Sequence, residues 1–122
     1  MKPEIKSLHS PNVLDLESYS PKDNVFEFPL EVYAGPEGVD RVESFDFMVY
    51  SVKWLSSGGV PRDTVLVGKD SLVMYNYDFS VLKEKITELM NSCTGSNWIE
   101  CAEKFGRYGH WEYEYYRPEG YK

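Results

Sequence analysis

Basic residues are in short supply in this chain: 13 Lys and Arg stand against 20 Asp and Glu over 122 residues, for a formal net charge of -7. A negative field repels phosphate backbones and anionic membranes, and no basic patch with interleaved aromatics is present, so nucleic-acid and membrane-surface binding are excluded as expectations. No hydrophobic run approaches the roughly 20 residues that span a bilayer. Met1-Lys2-Pro3-Glu4 lacks the apolar stretch of a signal peptide, so the expected location is the cytoplasm. Histidine and cysteine are equally scarce. His9, Cys93, Cys101 and His110 lie too far apart to show the ligand spacing of a zinc site, which needs three or four donors. Gly58-Gly59 is followed by Val60-Pro61 rather than by Lys-Ser/Thr, so there is no phosphate-binding loop. No cofactor or metal is expected.

Aromatic residues, by contrast, are plentiful: ten Tyr, six Phe and three Trp make up 16% of the chain. Such side chains bury large areas, and Tyr and Trp keep a polar handle, which suits both a half-buried sheet and a contact surface. With 42% hydrophobic and 27% charged residues, ordinary globular usage, the whole of 1–122 reads as a single domain. The acidic excess is local. Residues 15–46 hold Asp15, Glu17, Asp23, Glu27, Glu31, Glu37, Asp40, Glu43 and Asp46 against only Lys22 and Arg41.

Hydropathy patterning orders the elements. Glu4 to His9 alternates as a first strand, and the turn-rich Pro11 to Asp23 forms a surface loop with a short helical turn around Leu14–Tyr19. From Val25 to Ala34, Phe26, Phe28, Leu30 and Val32 share one face, while Glu27, Pro29, Glu31 and Tyr33 share the other. Pro29 cannot donate to a ladder, which points to an edge or a bulge. After the Gly35-Pro36-Glu37-Gly38 turn, Val42, Phe45, Phe47 and Val49 read as buried, opposite Ser44, Asp46, Met48 and Tyr50, so the two runs form a hairpin. Thr64–Val67 and Ser71–Tyr77 read as one interrupted strand or two short ones. The period then becomes helical: Phe79, Leu82, Ile86, Leu89, Met90 and Cys93 form one stripe, capped by Asp78 or Ser80 and stopped at Gly95. A second helix over Asn97–Phe105 places Trp98, Cys101, Ala102 and Phe105 together, with Asn97 and Glu100 spaced as in a capping box. His110 to Tyr116 alternates as a final strand. The order β-β-β-β-α-α-β predicts an α+β fold: an antiparallel sheet with two consecutive helices on one face and the other face open to water.

The candidate chemistry is thin. A cysteine nucleophile needs a nearby base and an electropositive setting, whereas Cys93 and Cys101 sit on apolar helix positions, where reduced, buried thiols are the default. A small enzyme or ligand-binding domain would place its pocket near His110 and Glu112. A homo-oligomer subunit would use its aromatic surface or the edge marked by Pro29. The remaining feature is the uncovered face, which gathers Glu27, Glu31, Tyr33, Asp46, Tyr50, Glu112, Glu114 and Tyr116. It is either a solvated sheet surface or a docking surface for a Lys/Arg-rich protein, since charge complementarity quickens association and aromatics anchor it.

Several ordered segments resemble the immunity protein 8 family of bacterial polymorphic toxin and contact-dependent growth inhibition systems. They are Glu4-Ile5-Lys6-Ser7-Leu8, Leu16-Glu17-Ser18-Tyr19 with Pro21, Gly35-Pro36, Glu43-Ser44-Phe45-Asp46-Phe47 and Trp54-Leu55. Tyr77-Asp78, Ser96-Asn97-Trp98 and Trp111-Glu112-Tyr113-Glu114-Tyr115 complete the set. The resemblance implies a cytoplasmic, non-enzymatic protein that binds a cognate toxin domain. From the acidic face, that partner is expected to be basic, with a nuclease among the candidates. The family carries no catalytic motif to transfer, and Trp54, Trp98 and Trp111 are read as core.

Overall fold

A computed structural model describes residues 1–114 of the chain. Strands β1 (Pro3–His9), β2 (Glu27–Pro36) and β3 (Glu43–Ser51) form an antiparallel meander. The short helix α1 (Val52–Ser56) follows at once, then β4 (Ser71–Met74), α2 (Phe79–Asn91), α3 (Trp98–Phe105) and β5 (His110–Trp111). The strict alternation of β2 and β3 sends Phe28, Leu30, Val32, Ala34, Phe45, Phe47 and Val49 to one side, where all are buried. Leu82, Ile86 and Met90 of α2 and Trp98, Cys101, Ala102 and Phe105 of α3 complete that core. The two consecutive helices α2 and α3 therefore cover a single face, as the sequence predicts. Full burial stabilises each large apolar side chain by about 1.5–3 kcal/mol relative to exposure.

Local chemistry explains the helix ends. The Asp78 carboxylate accepts the Ser80 and Val81 N–H groups at the start of α2. Asn97 Oδ1 accepts the Glu100 N–H at 3.0 Å, but Glu100 returns its hydrogen bond to Ser96 rather than to Asn97, one residue earlier than a reciprocal capping box. The cap of α2 is Ser92 in a right-handed conformation, so Gly95 is not its stop. Gly95 instead packs closely: a side-chain Cβ there would lie 2.7 Å from Glu100 Cβ. Ser51 joins three elements, its Oγ accepting the N–H groups of Phe26 and of Trp54, each at 3.0 Å.

The second edge of β3 is shared. β4 pairs in parallel with Met48–Ser51, and β5 pairs antiparallel with Phe45 and Asp46. β4 is thus the exception to the expected antiparallel sheet, because the chain crosses over between Ser51 and Ser71 instead of turning back. Thr64–Val67 forms no strand, and Val65, Leu66 and Val67 are exposed. Val42 is 46% exposed and lies before β3, outside the core expected of it. The final strand shrinks to His110–Trp111 and passes into a turn over 112–114; Tyr115 and Tyr116 lie outside the described residues. The Leu14–Tyr19 stretch forms only a turn, with Leu14 fully exposed and Leu16 buried. Pro29 sits in an interior strand without cost. Its partner Met48 donates its N–H away from β2, to the Asp70 carbonyl, so Pro29 faces the opposite side, where β1 has already ended at His9 opposite Glu31.

Candidate partner-binding face

The same alternation that builds the core presents Glu27, Pro29, Glu31 and Tyr33 of β2, and Ser44, Asp46, Met48 and Tyr50 of β3, on the uncovered side. Glu31 stands directly opposite Asp46. That pair is of the same kind as Pro29–Met48, not hydrogen-bonded to each other across the ladder, and such pairs bring side chains closest. β5 then lays His110 beside Asp46. Beyond it, Glu112 continues the ladder through its side chain: its carboxylate accepts the Ser44 N–H at 2.8 Å, and its own N–H donates to the Ser44 carbonyl at 3.1 Å. Three carboxylates, from β2, β3 and the turn after β5, thus meet around Tyr33, whose hydroxyl donates to Glu31 Oε1 at 3.2 Å.

The electrostatics record this convergence. Partial burial pushes the Asp46 carboxyl above its ordinary value; repulsion from Glu31, Glu112 and Asp70 adds to the effect, and His110 opposes it. Burial likewise raises the Tyr33 phenol, helped by the charge and hydrogen bond of Glu31 and by the charges of Asp46 and Glu112. Lys69 is the nearby counter-charge, 2.8 Å from Asp70 and 3.3 Å from Glu114. Its ammonium is raised, first by the hydrogen bond to Asp70.

The expected residues that are described fall in three places. Glu31, Tyr33, Asp46 and Glu112 cluster. Glu27 and Tyr50 face each other at the other end of the same surface, where the Tyr50 ring lies 5.3 Å from that of Trp54. Glu114 stands at the rim with Lys69 and with His110, whose Nδ1 is 3.4 Å away, and Tyr116 lies outside the described residues. Sequence reasoning missed His9, which lies opposite Glu31 with Nδ1 2.7 Å from its carboxylate, and Asp70. The alternation of β1 carried the signal for His9, but its neighbour on β2 depends on a register that an irregularity between Ile5 and Ser7 shifts. Of the three tryptophans, Trp98 and Trp111 are buried, whereas Trp54 is half-exposed beside Tyr50.

Elsewhere the chemistry is quiet. Cys93 and Cys101 are free, buried thiols, each raised by burial and so poor nucleophiles. Among the described residues no group of three His, Cys, Asp or Glu side chains could hold a metal ion. No described helix is long and apolar enough to cross a membrane. A groove of about 510 Å³ between β1 and α2 is lined by Lys2, Glu4, Lys6, Glu17 and Lys83 with Phe79. Lys2 is paired with Glu37 and Lys6 with Glu4. A family model described as Immunity protein 8 matches residues 3–116. No curated protein and no solved structure matches the chain.

Proposed function

The chain belongs to the Immunity protein 8 family, and from that membership we propose that it neutralises a cognate polymorphic toxin by docking the toxin domain against the acidic half of its open sheet face. Docking there blocks the toxin's active site or substrate groove sterically and needs no chemistry from this chain. The proposed setting is the cytoplasm of a cell protected in contact-dependent growth inhibition. The observation that carries this reading is the convergence of Glu31, Asp46 and Glu112 around Tyr33 on the face that, among the described residues, neither α2 nor α3 covers. Like charges held close together cost stability, and proteins retain such arrangements at functional sites. A basic toxin domain relieves the repulsion when it docks, and Tyr33 and Tyr50 supply amphipathic anchors. If the toxin is a nuclease, the same carboxylates stand where nucleic-acid phosphates would.

The test is the double variant Glu31→Lys with Asp46→Lys, measured against the toxin domain encoded beside this chain. Association should slow by roughly tenfold or more at low salt, and the difference should shrink at high salt as the charges are screened. Unchanged association at both salt concentrations, with full protection of cells expressing the toxin, would remove this face from the reading.

A further inference from the structure

We propose that docking extends from the acidic face onto the neighbouring sheet edge, where β4 takes an extended cationic segment of the toxin domain as an added strand. The inference rests on the docking reading above and names how the partner is gripped.

β4 closes one side of the sheet order β1-β2-β3-β4. The Met48 N–H donates to the Asp70 carbonyl at 2.8 Å, and the parallel register sets Met48 beside Ser71 and Tyr50 beside Val73. That ladder turns the backbone groups of Leu72 and Met74 towards β3 and those of Val73 outward. Among the described residues nothing bonds the Val73 N–H or carbonyl. Unpaired edges invite another chain, and folded proteins guard them with proline, charge, bulges or a covering helix. The opposite edge has such guards: β1 carries Pro3, Lys6 and a register irregularity, and α2 packs against it. Among the described residues β4 has none of these guards; it is short, at four residues.

The side chains around that edge define the occupant. Val73 is 55% exposed and Tyr75 77%, and Val65, Leu66 and Val67 in the preceding connection are exposed as well. On the open face Val73 borders Tyr50, which stacks near Trp54, while Ser71 borders Met48. The apolar half of the face is thus continuous with the edge. Asp70 stands at the entry to β4, and Asp46 lies one strand in, coupled to it. An added strand that alternates apolar side chains with Lys or Arg meets both features. Main-chain hydrogen bonds hold it, and its charges are matched by the cluster. The carboxylates then govern encounter, and the edge governs release.

Val73→Pro isolates the edge. It deletes one outward N–H and leaves the β3–β4 ladder, which uses the N–H groups of Leu72 and Met74, while Val73→Thr keeps the donor and the shape. Circular dichroism and melting check the fold of both variants. With the neighbouring toxin domain as probe, Val73→Pro should release it roughly tenfold faster with association little changed, and Val73→Thr should stay within about threefold of the unsubstituted chain. In the unsubstituted complex the Val73 amide should gain protection from hydrogen–deuterium exchange, a readout independent of whether the proline variant folds. Release at the unsubstituted rate, or an unprotected amide, overturns strand addition. If the Glu31→Lys/Asp46→Lys variant still associates slowly in that case, face docking survives; if only Val73→Pro matters, face docking fails and the edge stands. Light scattering that finds a dimer dissolved by Val73→Pro, with toxin release unchanged, assigns the edge to a second copy of this chain and overturns the proposal.

Discussion

Replacing Asp46 by Asn should make this protein more stable while weakening its grip on a basic partner. Asp46 faces Glu31 directly across the β2–β3 ladder, in the type of pair where side chains approach closest. Like charges so placed are destabilising, on the scale of the roughly 0.2–1 kcal/mol that favourable cross-strand pairs contribute. Partial desolvation is the largest cause of the raised Asp46 pKa; Glu31, Glu112 and Asp70 add repulsion, and His110 offsets part of it. Asp46 is exposed, so solvent screening holds the net gain of Asp46→Asn near 0.5 kcal/mol at neutral pH and low salt. The sign with pH follows from linkage. A carboxyl whose folded pKa is raised costs stability fully above that raised value, and the cost vanishes below the unfolded value, where both states hold the proton. The gain should therefore be present at neutral pH, shrink as pH falls through the raised pKa of Asp46, and also shrink in high salt. Paired urea denaturations of the two chains read this directly, and Glu31→Gln, alone and combined with Asp46→Asn, isolates the pair as a coupling energy. An Asp46→Asn chain no more stable than the unsubstituted one at neutral pH and low salt would refute the repulsion. The same substitution should slow toxin association, because the charge that strains the folded chain is the one that attracts the partner.

Two further outcomes follow from buried polar contacts. Glu43, 4% exposed, accepts the Trp111 indole N–H at 2.9 Å and the Arg41 Nε–H at 2.7 Å, and so fastens β5, which delivers His110 and Glu112 to the face. Glu43→Leu should cost about 2–4 kcal/mol by denaturant unfolding. Glu43→Gln, whose amide oxygen still accepts from Trp111, should cost less, and a Leu variant within about 0.5 kcal/mol of the unsubstituted chain would show that the clasp contributes nothing. Tyr77 donates its hydroxyl to the Leu16 carbonyl amid Tyr19, Phe26 and Phe28, and burial pushes its phenol up to about 12. The folded chain then holds that proton more tightly than the unfolded chain, so this contribution is intact below the ordinary 10.0 and is lost as pH climbs towards 12. Tyr77→Phe should flatten that alkaline loss in unfolding measurements, and an equally steep loss in the variant would contradict it.

Much of this architecture is local and therefore legible in the sequence. Alternation set the two faces of β2 and β3, because side chains of a strand point alternately whatever the strand pairs with. Helical spacing placed Leu82, Ile86 and Met90, and Trp98, Cys101 and Phe105, on buried stripes, and Asp78 and Asn97 marked the starts because their side chains cap the adjacent N–H groups. From those patterns alone, Glu31, Tyr33 and Asp46 could be assigned to one uncovered surface. What sets Glu112 beside Ser44, and brings His110, His9 and Asp70 to that surface, is pairing between segments distant in the chain. Alternation carries no record of which strand lies beside which, of a register shifted within β1, or of β4 and β5 dividing one edge of β3 in opposite directions. The residues of the face were written into the period of each strand, whereas the cluster they form, and the unguarded edge beside it, exist only once long-range hydrogen bonds have chosen the neighbours.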